Sequence, residues 1–362
     1  MMRKATLFIV SFMVLYVMGA YGQSPTLDEL IQEGVELHDG GEYEEAIDRY
    51  LEALEMDSTS ILAIYELSLS YLALKDFDNA LEYSTQVIDS EHEQLSTGAY
   101  AVKSEALAEL ERVNEAIEVL QKGLDIHGDE YLLHFNMALN YYKKGNTDKT
   151  MEHVKRAIDV DKTHSGAFLL YAYALNDKGL WVQSILSFQM FLLLEPDSRR
   201  SKNAFEELLQ TMQLKKPTEP VERSFIQQQM MRNKPETSAV HPDEVPPLSI
   251  EGGLNRNFVY HAITSTLDSL KSSSDEIEDF VLFKTVNKAI IEVLERESLR
   301  SEEGVFWTFY VPFFSRIAAS DYFDTFCRYI SVSYYPESLE WWQQNPEAAV
   351  NFIIWFEKGD DS

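Results

Sequence analysis

Gly41-Glu42-Tyr43-Glu44-Glu45-Ala46-Ile47 returns four times: as Lys75-Asp76-Phe77-Asp78-Asn79-Ala80-Leu81, Glu111-Arg112-Val113-Asn114-Glu115-Ala116-Ile117, Gly145-Asn146-Thr147-Asp148-Lys149-Thr150-Met151 and Gly179-Leu180-Trp181-Val182-Gln183-Ser184-Ile185. The small residues Ala46, Ala80, Ala116, Thr150 and Ser184 stand 34, 36, 34 and 34 positions apart, a period that marks a stacked repeat. Twelve residues before each lies a second small residue (Gly34, Ser68, Ser104, Ala138, Ala172), followed three later by Leu37, Tyr71, Leu107, Tyr141 and Leu175. Small side chains let two helices approach closely, and the larger ones fill the space beside the contact. A third column, Tyr50, Ser84, Leu120, Val154 and Phe188, lies four residues past the first and shares its helix face. Each unit therefore reads as helix, short turn, helix. Gly41, Gly145 and Gly179 supply the conformation that ends a first helix, and Leu194-Glu195-Pro196-Asp197 stops the last unit.

On these columns the stretch from Leu27 to about Ser198 resembles the tetratricopeptide repeat (TPR) family, with Leu30, Ile64, Tyr100, His134 and Phe168 where the family has Trp, and its terminal Pro present only as Pro196. The resemblance implies an all-α, right-handed superhelix of helix pairs whose concave face holds a peptide or helix of a partner protein. That face is made by the first helix of each unit. Here, by register, it includes Ile31, Val35, Tyr65, Leu69, Leu72, Phe135, Leu139, Tyr142, Leu169 and Tyr173. The Lys and Asn residues by which some members clamp a peptide carboxylate are absent from this set, which implies an apolar partner, because a charged peptide end would lose its water without finding a donor. An empty groove of this kind would expose more apolar surface than soluble monomers usually do, so an external amphipathic segment or the chain's own Arg223 to Arg232 is expected to cover it.

Outward from the repeats, Arg199 to Leu214 places Ala204, Leu208, Leu209 and Met212 on one face of a capping helix. From 215 to 253 six prolines mark a stiffened linker, within which only Arg223 to Arg232 has amphipathic spacing. Residues 254 to 362 carry aromatics at helical spacing (Phe306, Phe309, Tyr310, Phe313 and Phe314, then Tyr322, Phe323, Phe326, Tyr329 and Ile330) and predict a C-terminal domain of five to seven helices. Pro312 should break or kink its helix, Asn345-Pro346-Glu347 reads as a helix start, and Gly359 as a stop. At the other end, Arg3 and Lys4, an apolar run from Ala5 to Met18, and Ala20 and Gly22 before Gln23 have the layout of a cleaved signal over residues 1–22. The run falls short of the roughly 20 residues that span a bilayer. The mature chain from 23 is expected to be exported, periplasmic or secreted, and not an integral membrane protein.

Composition narrows the chemistry. With 31 Lys and Arg against 60 Asp and Glu, the net charge of −29 argues against nucleic acid and anionic membrane partners. One cysteine, Cys327, excludes an internal disulfide and a thiolate metal site, and it reads as a buried small hydrophobe rather than a nucleophile. Eight histidines show no zinc-helix spacing. His134 falls in a core column, and Glu91-His92-Glu93 in a turn between repeats. Phosphate-cradling glycine loops and a Gly-x-Ser-x-Gly elbow are lacking, so neither catalytic nor metal residues are assigned and no cofactor is expected. Trp307, Trp341 and Trp342 read as core, with one of the adjacent pair facing solvent. The sum is a non-catalytic interaction scaffold of the cell envelope. Its alternatives are an enzyme with its site in the C-terminal domain and a binder of an envelope glycan or apolar ligand.

Overall fold

The computed structural model describes residues 25–215, 254, 256–274, 276–298 and 306–358. The export signal, the segment Arg223 to Arg232 with nearly all of the proline-rich stretch, and the Gly359 stop lie outside the described residues. Those that are described form helices and turns, with no strand among them. Two compact units emerge, Met1–Val119 and Leu120–Ser362.

The first unit contains α1 (Leu27–Asp39), α2 (Tyr43–Met56), α3 (Ile61–Leu74), α4 (Phe77–Asp89), α5 (Ser96–Glu109) and the start of α6 (Val113–His127). Thr26 opens α1 with a capping box: its hydroxyl accepts from the Glu29 amide at 3.3 Å while the Glu29 carboxylate accepts from the Thr26 amide at 2.8 Å. Ser60 and Asp76 cap α3 and α4 in the same way, each accepting from an amide three residues on. The columns lie where close packing requires small residues: Ala46, Ala80, Ala116, Ser68 and Ser104 have no solvent exposure. Buried Ser68 and Ser104 return their hydroxyls to carbonyls one turn back, which leaves no donor stranded. First helices sit side by side, α1 with α3 and α3 with α5.

Every turn inside a repeat passes through left-handed backbone at one column: Gly41 (φ 82°), Lys75 (66°), Glu111 (61°), Gly145 (71°) and Gly179 (71°). Three are the glycines the sequence identified, whereas Lys75 and Glu111 adopt the same conformation with a Cβ. The 36-residue step falls in the turn from α4 to α5, which holds exposed Glu91-His92-Glu93 and has two residues more than the α2–α3 turn.

The second unit continues with α7 (Tyr131–Lys143), α8 (Thr147–Val160), α9 (Ser165–Asp177), α10 (Trp181–Leu194) and α11 (Arg199–Thr211), the capping helix, with Ala204, Leu208, Leu209 and Met212 all buried. Then follow α12 (Arg256–Ser273), α13 (Asp279–Ser298), a π-turn (Phe306–Tyr310), α14 (Val311–Ala319), α15 (Phe323–Ile330), α16 (Pro336–Gln344) and α17 (Pro346–Lys358). Pro312 stands in the first turn of α14, where the π-turn hands over to α-helix. Asn345 acts differently from the expected cap, since its amide donates to the Trp341 carbonyl at 2.8 Å and closes α16 while Pro346 opens α17.

One core runs from Ala138 to Phe352, so the helices after residue 254 bury their aromatics together with α9, α10 and α11. Phe205 of α11 meets Phe283 of α13 with centroids 4.9 Å apart, and Tyr310 meets Phe168 of α9 at 6.4 Å. The cause lies in α10, which carries no charged residue between Trp181 and Leu194 and is buried continuously from Val182 to Leu193. A helix apolar on every side must be enclosed. Within that enclosure Gln189 and Asn287, both without solvent exposure, exchange amide hydrogen bonds at 2.9 and 3.1 Å and fix the register of α10 against α13.

Candidate interaction surface

The ten face residues divide by burial. Val35, Tyr65, Leu69 and Leu72 in the first unit, and Phe135 and Leu139 in the second, are half-buried: one side packs on the neighbouring helix and the other meets solvent. Ile31, Tyr142, Leu169 and Tyr173 are core residues, from 2% to 7% exposed, and this corrects their place on an open face. Tyr173 turns its ring edge-on to Phe188 of α10 at 5.4 Å. Tyr142 is so deep that burial pushes its hydroxyl well above the usual phenol range, with the Asp177 carboxylate adding to the effect.

Two residues absent from the sequence assignment belong with the half-buried group. Leu62 and Leu132 are 45% and 43% exposed, and each stands three before an assigned aromatic, Tyr65 or Phe135. Leu62, Tyr65, Leu69 and Leu72 line one side of α3, and Leu132, Phe135 and Leu139 repeat the first three positions on α7, 70 residues later. Extending the register by one helical turn would have found both leucines.

Each unit keeps a polar group beside this stripe. In the first, Glu66 of α3 is half-buried, and desolvation together with the Asp39 carboxylate raises its carboxyl above the ordinary range. Next to it His38 Nδ1 lies 2.8 Å from the Ser70 hydroxyl. In the second, His134 is buried in its core column, as expected, but with a partner that spacing did not reveal: its Nδ1 lies 3.1 Å from Nδ1 of His153, and its Nε2 is 2.9 Å from Asp129. The set is satisfied when His134 donates to Asp129 and accepts from a neutral His153. Burial, with His134 beside it, holds His153 down at about 4. Among the described residues no group of three or more His, Cys, Asp or Glu is placed to hold a metal ion.

The residues considered for other chemistries are packed. Cys327 is fully buried, 3.9 Å from the Asn287 amide, and burial pushes its thiol far up. Trp307 is 3% exposed, while Trp341 and Trp342 are both half-buried, under Arg328 at 5.2 Å and against Tyr329 at 5.4 Å respectively. No described helix is long and apolar enough to cross a membrane.

A family model described as tetratricopeptide repeat matches residues 62–91, which are α3, α4 and the turn that follows. The same columns and the same left-handed turn recur in four further units, so the match extends in pattern, as tetratricopeptide-like helix pairs, from α1 to α10. Among solved structures the chain is similar to TTC0263, a thermophilic TPR protein of Thermus thermophilus (20% identity, 52% of this chain and 100% of that one, TM-score 0.46). It is also similar to PilF of Pseudomonas aeruginosa (18%, 52% and 84%, 0.45) and to YrrB, described as a TPR protein with an unusual peptide-binding site (18%, 49% and 90%, 0.36). No curated protein matches it.

Proposed function

We propose that this chain is a non-catalytic interaction scaffold, exported to the cell envelope, that holds a peptide or helix of a partner protein against a half-exposed apolar stripe, that of α3 in the first unit or its counterpart on α7 in the second. The observation that carries the reading is the recurrence of leucine, aromatic and leucine at the same register on both helices, each partly open to solvent. Rigid stacked helices offer such a stripe preformed, which lowers the ordering cost of binding. Capture from the native envelope fraction by the mature chain, compared with Tyr65→Glu and Phe135→Glu, tests it. Loss of the captured partner is expected, with the fold retained at a lowered unfolding midpoint, because both rings also pack on their neighbouring helices. An unchanged captured set, with the fold intact, overturns the reading. Intact-mass analysis of exported protein tests the export part, with a mature chain beginning at Gln23 expected and a retained N-terminus refuting it.

A further inference from the structure

The negative charge of this protein is unevenly placed. Residues 25–119 hold 4 Lys and Arg against 24 Asp and Glu, a net −20, whereas residues 120–362 hold 25 against 36, a net −11 over more than twice the length. Within the first unit neither α1 nor α3 contains a Lys or Arg. Two of the four cations are already engaged elsewhere: Arg49 of α2 pairs with Glu52 at 2.8 Å, and Arg112 makes two contacts of 2.8 Å to Glu115. Helices α1 and α3 thus carry Asp28, Glu29, Glu33, Glu36, Asp39 and Glu66 with no Lys or Arg of their own.

One of those carboxylates sits in an unfavourable place. Glu66 is half-buried one residue along from Tyr65, its charged neighbour is Asp39, and no ion pair reaches it among the described residues. A partly desolvated carboxylate beside a like charge is destabilised, and a cation brought within about 4 Å relieves both terms. Apolar contact on Leu62, Leu69 and Leu72 would bring such a group to that point if the partner carried basic residues beside its apolar face.

We propose that the α1–α3 face of the first unit selects a cationic amphipathic segment of a partner protein, seating its apolar side on the α3 stripe and a Lys or Arg between Glu66 and Asp39. This rests on the reading of the stripe as a peptide-binding surface and adds the partner's charge to it. The field of the unit steers such a segment in and repels an acidic one.

Isothermal titration calorimetry of the full chain against three designed 18-residue amphipathic helices tests this. The three share one leucine face, and their polar faces are Lys, Gln or Glu. At 0.15 M salt the Lys peptide is expected to bind at least tenfold more tightly than the Gln peptide, with the gap closing in 1 M salt. Glu66→Gln should weaken the Lys peptide about fivefold and leave the Gln peptide unchanged, while Glu45→Gln, an exposed site on α2, should change neither by more than twofold. Equal affinity for the Lys and Gln peptides, or equal effects of the two substitutions, overturns the cationic selectivity and leaves peptide binding standing. Failure of all three peptides to bind overturns both.

Discussion

Gly34 lies in α1 with a neighbour that leaves no room for a side chain. An ideal Cβ there would stand 2.8 Å from Cδ1 and Cζ of Tyr50, and nearer still to Cε1. Tyr50 has no solvent exposure and is enclosed by the core that contains Leu30, Ala46 and Leu67, so its ring has nowhere to go. Replacing a helix-interior glycine by alanine gains about 1 kcal/mol of helix propensity, while overpacking costs about 1–3 kcal/mol. Gly34→Ala should therefore lower stability by up to about 2 kcal/mol. Gly98→Ala is the control: its Cβ would lie 2.9 Å from Cζ of Tyr65, but that ring is half-exposed and its hydroxyl end can swing into solvent. There the propensity gain survives, and the two variants should differ by about 2 kcal/mol with opposite signs. For a unit of this size each kcal/mol is roughly 4–8 °C in Tm. Thermal unfolding by circular dichroism, with hydrogen exchange of the α1 and α2 amides to locate the effect, measures it. Because the ring displaced in Gly98→Ala is Tyr65, that variant should also change peptide capture, while Gly34→Ala should not. Equal shifts, or a Gly34→Ala protein more stable than the parent, would refute the packing argument.

Lys75 and Glu111 hold left-handed backbone that glycine holds in the other repeats, so Lys75→Gly and Glu111→Gly should each stabilise by about 0.5–1 kcal/mol in chemical denaturation, against the usual cost of introducing glycine. Asn287→Leu strands the Gln189 amide in the core and should cost about 1–3 kcal/mol in the same assay, with the double change to Gln189→Met and Asn287→Leu recovering part of the loss. His153 titrates at about 4 in the folded chain against 6.5 for the free side chain, so the unfolded state binds more protons between those values and stability falls as pH drops from 6.5 towards 4. The groups facing it are His134, Tyr141, Glu152, Lys149 and Arg156, with Asp129 bound to the far nitrogen of His134, and His153→Gln should flatten the slope of a pH series of unfolding midpoints.

Periodicity made the helix pairs legible because the constraint is steric and local. Only a small residue fits where two helices touch, and the buried Ala46, Ala80, Ala116, Thr150 and Ser184 mark those contacts. The same reasoning misplaced Ile31, Tyr142, Leu169 and Tyr173, since a period assigns a residue to a face without saying what packs over that face. A signal was present in the uncharged α10, whose enclosure required partners from beyond the repeats. The His134–His153 contact spans 19 positions, across the two helices of one pair, so a search at single-helix spacing passes over it. Lys75 and Glu111 were invisible for a different reason: left-handed backbone in a non-glycine residue is held by the surrounding turn and leaves no mark of its own in the sequence.

Most residues that offer apolar surface here also hold the stack together. Tyr65 packs among Ile64, Val87 and Ala99, and Leu69 and Leu72 pack against Ala80, Val102 and Ala106, so a polar substitution at any of them weakens the repeat as well as the surface. Leu62 and Leu132 differ. Among the described residues neither joins the core clusters around it, and each keeps over 40% of its surface open, so stability gives little reason for a large apolar residue at either position. Single exposed leucines are common, but two at one register, each heading a stripe with an aromatic and a second leucine below it, are the residues on which the proposed binding surface depends without serving the core. Substitution of Leu62 and Leu132 by Gln therefore separates binding from folding: capture should fall while unfolding stays within about 0.5 kcal/mol of the parent. If capture survives both changes, the half-exposed stripes are packing alone, and the scaffold must hold its partner elsewhere.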